Sequence, residues 1–402
     1  MPQSSHPTRP YDPGLLADLL RHPLIARVAP HVSPRVWAVG GVVRDALGGH
    51  APGPDVDLVV EGDACAEAEA VAGALGVDAT LHRRFGTAVL RLADGHVDLV
   101  TARRETYPHP GALPVVTPGT LADDLARRDF TVNAVAVRLT GDERGAVADP
   151  HGGRGDLARG VLRAVRPGEF AEDPSRIVRA ARYASRLGLV PDVGTEGELR
   201  AAAPGLDWTS ARVGDELRRL LEEGSAARGV GALAAWGAPG LVVPPQPPLE
   251  ALDAAAREMG VVNPPVWALR LGAVATPAML DVVALPGWAV EAARGVQQAP
   301  AVTVQVTSAP RASDVDAVMC RVPVGALAAL RAGADPRVET WWRDHRGVEV
   351  AVTGADLVRL GVPPGPALGE ALRRVRAAVV DGDVTTPDEQ TALALDVSAG
   401  RA

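Results

Sequence analysis

The stretch "VWAVGGVVRDALGGHAPGPDVDLVV", residues 36–60, decides the fold. Residues 36–40 read as a buried strand, Gly40-Gly41 as the turn, 42–48 as the start of a helix, and 55–60 as a second strand after a Gly/Pro loop. Asp55 and Asp57 stand two residues apart, so on a strand both carboxylates face the same side. Two such groups repel unless a cation sits between them, and Mg²⁺ takes one or two protein carboxylates with phosphate oxygens completing its shell. A solvated strand end has the same pattern. The neighbours favour phosphate chemistry: Gly40 and Gly41 let backbone approach a phosphate, the following helix offers N–H groups, and Arg44 adds a fixed charge.

Working outward, an Ala-rich helix is expected near 63–75. "TAVLRLADGHVDLVTAR" then alternates on both sides of Asp94-Gly95, which predicts a hairpin. Asp98 on its second arm reads either as a third metal carboxylate or as an exposed strand residue. These elements make a small mixed α/β domain ending near 150. From about 156 the pattern turns helical, clearest in "DPSRIVRAARYASRLG", where Asp173 caps, Pro174 suits the first turn and Gly188 stops the helix. The proline-rich run at 244–248 marks a second boundary, with Ala/Leu/Val helices beyond it.

Composition excludes whole classes. Among 402 residues every one of the 41 basic side chains is arginine, so a Walker A loop, a kinase lysine or a Schiff-base lysine is impossible. The net charge of -8 argues against a chain that coats nucleic acid everywhere while leaving room for a local basic groove. Cys65 and Cys320 form no CxxC or Cys/His cluster, so free thiols and no zinc site are expected. No apolar run reaches membrane-spanning length and the polar, proline-rich start is unlike a signal peptide, which places the protein in the cytoplasm, away from membranes.

Three further motifs carry polar chemistry. "DLARRDFTVNAVA" sets Arg127, Arg128 and Asp129 directly before an alternating apolar strand. "DPHGGRGDL" supplies a glycine-rich turn in which Asp149 caps or braces a strand-to-helix crossing. Arg176, Arg179, Arg182 and Arg186 recur at spacings of three and four, a stripe whose default is a solvated face and whose alternative is phosphate contact.

Taken in order, "GGVVRD", "DVDLVVEGD", "RRDFTVNAVA", "DPHGGRGDL" and "EDPSRIVRAARYASRLG" resemble the class II tRNA nucleotidyltransferases and their bacterial poly(A) polymerase relatives over residues 36 to about 240. "TGADLVRLGVPPGPALGEAL" resembles their C-terminal part. The resemblance implies an α+β protein: a small mixed-sheet nucleotidyltransferase head of the DNA polymerase β superfamily, then all-helical neck, body and tail. The implied division is an N-terminal extension over 1–35, head 36–155, neck 156–243, body 249–310 and a tRNA-binding tail 311–402.

The same resemblance implies that Asp55 and Asp57, joined by Asp98, hold two Mg²⁺ ions for transfer of a nucleotide from CTP or ATP to an RNA 3′-hydroxyl. Gly40, Gly41 and Arg44 would hold the triphosphate, and Arg127, Arg128, Asp129, Asn133 and Arg179 the rest of the nucleotide. In the "EDxxR" motif Asp173 and Arg176 would read the base edge, arginine offering a donor fork and aspartate acceptors. Asp149, Glu172, Arg212 and Glu216 would be structural. The partner implied is tRNA, gripped at its acceptor stem and TΨC arm by shape and phosphates, which suits an aromatic content of 3%. Trp341 and Trp342 could stack on RNA, with helix packing the plainer reading.

Family members add C, C and A, or CC alone, or A alone, or a poly(A) tail. The segment "RETYPHPGALPVVTPGTLADDLARRD" lacks the basic loop of many complete CCA enzymes and has the "YxxPGALPxV" form of a subgroup that includes split CC- and A-adding enzymes. CCA, CC and A addition all stay open. A poly(A) polymerase would carry a basic C-terminal extension, and a catalytically silent RNA-binding relative would have lost Asp55 or Asp57.

Overall fold

The computed structural model describes residues 12–50, 53–106 and 115–401, which pack as two compact units. One holds the chain up to Asp207 with Glu223–Pro239, and the other holds Trp208–Glu222 with the chain from Gly240 onward. Residues 107–114, all but the last two of the "YxxPGALPxV" stretch, lie outside the described residues.

The first unit is built on strands β1 (Val36–Val39), β2 (Asp55–Val60), β3 (Ala79–His82), β4 (Thr87–Leu92) and β5 (Gly95–Thr101). Strands β6 (Arg103–Thr106) and β7 (Val115–Pro118) pair separately, while β8 (Ala136–Arg138) and β9 (Val147–Ala148) complete the main sheet. Its order is β3-β4-β5-β2-β1-β8-β9, with β2 and β5 parallel and the other neighbours antiparallel. Alternation assigns the faces. Val36, Ala38, Val56, Leu58, Val97 and Leu99 enter one core, whereas Trp37, Val39 and Val59 enter a smaller core on the other side. Asp55, Asp57 and Asp98 therefore share the face of the smaller core.

The large core is closed by helices α1 (Pro13–Arg21), α2 (Pro23–Val28), α3 (Gly41–Leu47) and α4 (Ala64–Leu75). Leu19, Ile25 and Val28 are fully or almost fully buried in it. Residues 12–35, expected as an extension, are thus part of the head's core; Asp12 caps α1 and His22 caps α2, two short signals easily passed over.

The Asp-Gly hairpin forms between β4 and β5. Gly95 has φ +145°, and a Cβ there would stand 2.1 Å from the carbonyl oxygen of Pro54, so only glycine lets β5 start against β2. One local expectation fails. The alternating run after Asp129 is not strand from its start: residues 131–133 form a 3₁₀ turn and β8 begins at Ala136. Asp129 Oδ1 accepts the Phe130 N–H (2.8 Å) and the Asn133 amide (3.0 Å), bonds that fold the chain locally in place of a ladder.

Helix α5 (Leu121–Ala126) has a Thr120–Asp123 capping box. Asp149 accepts the N–H groups of Gly153 (2.6 Å) and Arg154 (3.2 Å) at the start of α6 (Gly153–Ala158), bracing that crossing. After α7 (Glu169–Glu172), α8 runs Ser175–Leu187 and ends at Gly188 with φ +67°.

The second unit is helical among its described residues. The helix Ala211–Glu222, expected in the neck, packs here against Val266–Val274. Glu216 is buried on it and pairs with Arg219 at 3.1 Å, and Arg212 lies on its first turn. Trp341 is buried and donates to Asp316 (2.8 Å), which also takes Arg376 at 2.7 Å. Trp342 lies against the guanidinium groups of Arg331 and Arg346, 4.5 and 3.6 Å from its ring centre. The pair is engaged in packing. Among the described residues no helix is long and apolar enough to cross a membrane, and both cysteines are free thiols.

Candidate active site

The site is built where β1, β2 and β5 meet. In the parallel ladder Asp57 lies opposite Asp98 and Asp55 opposite His96, so three carboxylates and an imidazole occupy one face. His96 Nδ1 is 3.1 Å from Asp55 Oδ1, and Nε2 is 3.6 Å from Asp98 Oδ2. Burial at the cleft floor pushes the Asp57 carboxyl up; Arg128 opposes this and Asp55 adds to it. Burial likewise raises Asp98, with His96 opposing and Asp57 and Asp55 adding. The crowding is a direct result of register, because parallel pairing sets equivalent residues side by side.

At the end of β1, Gly40 adopts φ +71°, ψ -135°, a conformation closed to other residues at little cost. A Cβ there would meet Arg128 Nη1 at 3.0 Å and Asp57 Oδ2 at 3.1 Å. The glycine turn therefore lies between the carboxylate and the arginine. With Gly41, Asp57, Arg127, Arg128, Asp129, Asn133, Arg176, Arg179 and Tyr183 it lines a cleft of about 280 Å³.

The arginines are aimed by carboxylates that the sequence reading did not single out. Asp124, fully buried on α5, takes Arg127 on Oδ1 (2.9 and 2.6 Å) and Arg128 on Oδ2 (3.3 and 3.2 Å). Glu105 of β6 takes Arg127 Nη1 at 3.0 Å. The signal was present, since Asp124 precedes the two arginines by three and four residues, the spacing of neighbours on a helix. Glu105, twenty-two residues away, had none.

Behind the cleft runs a buried polar chain. Arg44 Nη1 donates to Asn133 Oδ1 (2.7 Å), the Asn133 amide donates to Asp129 Oδ1, and Asp129 Oδ2 meets Arg179 Nη1 at 3.2 Å. Burial works against charge on Asp129, but Arg179, Asn133, Arg176 and the Phe130 N–H outweigh it and hold the carboxyl below its usual range. Arg44, expected to contact the triphosphate, is only 2% exposed and does not line the cleft. Its guanidinium, 5.2 Å from the Tyr183 ring centre, braces the wall through Asn133.

Arg176 reaches the cleft, but its fork is largely engaged: Nη1 donates to Glu169 Oε2 and Nη2 to the Arg127 carbonyl, each at 2.8 Å. Asp173 Oδ2 stands 3.8 Å from Arg176 Nε. The Asp173 side chain caps α8 through the Ser175 N–H (3.2 Å) and hydroxyl (2.6 Å) and is not on the cleft lining. Glu169 is fully buried and desolvation pushes it up to about 9, opposed first by Arg176. Glu172 pairs with Arg166, which holds its carboxyl low. Three of the four stripe arginines are therefore drawn inward, while Arg186 stays exposed. Arg176 and Arg182 are buried, Arg179 is half-buried, and Arg182 and Arg186 both reach Glu223, at 3.5 and 3.4 Å.

Guanidinium forks beside a carboxylate cluster suit one chemistry, the binding of a polyphosphate whose charge is shared between arginines and a divalent cation. As the side chains stand, no three carboxylate, imidazole or thiol groups among the described residues converge on one point. The donor set nevertheless fits such an ion, since a cation offsets the repulsion and desolvation that raise Asp57 and Asp98.

Comparison with known proteins agrees with this chemistry. Residues 36–163 match the poly A polymerase head domain, and residues 345–394 match a putative second domain of tRNA nucleotidyltransferases. A CC-adding tRNA nucleotidyltransferase of Deinococcus radiodurans is 38% identical over 386 residues, 95% of this chain and 92% of the relative. An A-adding tRNA nucleotidyltransferase of Halalkalibacterium halodurans is also 38% identical, over 53% of this chain and 52% of its own. The solved Thermotoga maritima CCA-adding enzyme in complex with tRNA superposes with a TM-score of 0.76 at 26% identity, covering 94% of this chain and 98% of that one.

Proposed function

This chain belongs to the tRNA nucleotidyltransferase family, and on that footing we propose that it adds cytidines from CTP to the 3′ end of tRNA, stopping at CC. The observation that carries the chemistry is the cleft in which Asp57 and the Gly40 turn face Arg127, Arg128, Arg176 and Arg179. The likeness to a CC-adding relative, 38% identical over 95% of this chain and 92% of that relative, supports the choice of nucleotide, since an A-adding relative aligned over 92% of this chain is 31% identical and is itself covered to only 46%.

Asp55, Asp57 and Asp98 would hold magnesium, which when bound supplies Lewis-acid activation of the 3′-hydroxyl and charge neutralisation for the departing pyrophosphate. Gly40 and Gly41 present backbone rather than side chains to the triphosphate. Arg127 and Arg128, held by Asp124, offer it fixed forks that need no reorganisation on binding. Arg176, fixed by Glu169 and the Arg127 carbonyl, lines the cleft and would meet the base edge there. Asp129 and Asn133 stiffen the wall that Arg179 completes.

The test is primer extension by the purified protein with Mg²⁺ on tRNA transcripts ending before CCA, after CC, and after CCA, each with CTP, ATP or both. Two cytidines added to the first transcript, and none of the others extended, is the expected result. Addition of A after CC replaces this reading with complete CCA synthesis, A on the CC-ended transcript alone replaces it with A addition, and long A tails replace it with poly(A) synthesis.

A further inference from the structure

Arg176 is the most buried of the four arginines that line the cleft: its side chain is 6% exposed, against 18%, 15% and 27% for Arg127, Arg128 and Arg179. With so little water beside it, its donors must be paired by whatever enters the cleft, and an entrant that cannot pair them is disfavoured. Two of the five guanidinium N–H groups are already taken, one by Glu169 Oε2 and one by the Arg127 carbonyl, each at 2.8 Å. These bonds, on different nitrogens, fix the plane of the fork and leave the second N–H of Nη1 and of Nη2 to meet a ligand. Three acids adjoin Arg176, and their geometry separates them. Glu172 is turned to Arg166, while Asp173 Oδ1 caps Ser175 and its Oδ2 stands 3.8 Å from Arg176 Nε, beyond hydrogen-bond reach. Glu169 is fully buried, and its Oε1 has no hydrogen-bond partner among the described residues. So incompletely satisfied an acid is a poor device for stability alone. Burial favours its neutral form, which accepts the Arg176 N–H without cancelling the guanidinium charge.

We propose that Glu169, rather than Glu172 or Asp173, is the positioning residue for base selection, because it holds Arg176 as a donor fork that accepts cytosine and rejects uracil. Cytosine offers acceptors at O2 and N3, whereas uracil carries a hydrogen on N3, so that donor would meet donor there. The inference rests on the reading of Arg176 as the group that meets the base edge.

The test is single-nucleotide addition by the full chain to a tRNA transcript ending before CCA, read as the ratio of kcat/KM for CTP to that for UTP. Glu169→Met, which fills the same space without an oxygen acceptor, should lower this ratio at least about tenfold while tRNA affinity stays within a few-fold. Glu169→Gln keeps an acceptor for Nη1 and should stay within about threefold of native, as should Glu172→Ala. Added to Arg176→Ala, Glu169→Met should change the ratio less than about threefold further, because it acts through Arg176. Melting temperatures separate lost positioning from misfolding, and Glu169→Ala stands in if the Met variant is unfolded at the assay temperature. A Glu169→Met ratio within threefold of native, a full further loss on the Arg176→Ala background, or an equal loss in Glu172→Ala overturns the role of Glu169 and leaves the proposed reaction standing. Native protein that adds CTP and UTP equally overturns the reading of Arg176 as well, and native protein that adds no CTP overturns the proposed reaction itself.

Discussion

Replacing Asp124 with asparagine tests whether the arginines of the cleft act because they are aimed. Asp124 is fully buried and divides its two oxygens between Arg127 and Arg128. Asparagine keeps one oxygen for Arg127 but turns an NH₂ group toward Arg128, setting donors against donors and removing the charge. Breaking one partner of a buried ion pair costs about 3–5 kcal/mol. Arg127 and Arg128 retain 18% and 15% side-chain exposure and Arg127 keeps Glu105, so water and that second carboxylate soften the loss to about 3 kcal/mol, the low end. For a unit of this size the melting temperature should fall by about 6–12 °C. Arg128, released from Asp124, leaves its place beside Gly40, and misplacement on the scale of 1 Å costs about 10²-fold in rate. The assay is single-nucleotide addition at varied CTP, well below the variant's melting temperature. The expected result is kcat/KM reduced about 100-fold with tRNA binding within a few-fold. A folded variant with kcat/KM within threefold of native would refute the idea that Asp124 aims these arginines.

Three other outcomes are expected. Asp57→Ala should abolish nucleotide addition while leaving tRNA affinity, measured by filter binding, within a few-fold; retained turnover would sink the metal reading. Gly40→Ala forces a side chain into φ +71° between Arg128 and Asp57, so it should cost about 1–3 kcal/mol in stability and lower kcat more than it raises KM for CTP. Glu169 is protonated in the folded protein up to about 9 but ionises near 4.5 when unfolded. The folded state therefore holds the extra proton between those values, and stability falls as pH rises through that window, by up to about 1.4 kcal/mol per pH unit. Glu169→Gln should flatten this slope in thermal unfolding between pH 5 and 9, and an unchanged slope would show that the carboxyl is ionised beside Arg176.

Local rules made much of the head legible. The strand, glycine turn and helix at 36–47, the alternating strand at 55–60 and the Asp-Gly hairpin all obey short-range sterics and period-two burial, which act within a few residues. Asp149 and Asp173 were legible as caps for the same reason. The sequence by itself also determined that Asp55 and Asp57 share a face, because alternation on a strand leaves no other arrangement. What it did not determine was what lies across from them. That Asp98 adjoins Asp57 and His96 adjoins Asp55 follows from the parallel pairing of β2 with β5, about forty residues apart, which Gly95 makes possible by its approach to Pro54. Tertiary structure also turned Arg44 from an expected phosphate contact into a brace for Asn133, and drew Arg176, Arg179 and Arg182 of the α8 stripe inward. An arginine reads the same whether its partner is water, phosphate or a buried carboxylate, and only packing brings Glu169, Asp129 and Glu223 to Arg176, Arg179 and Arg182. A guanidinium stays charged wherever it is placed, so the fold determines its role through the carboxylates it sets beside it.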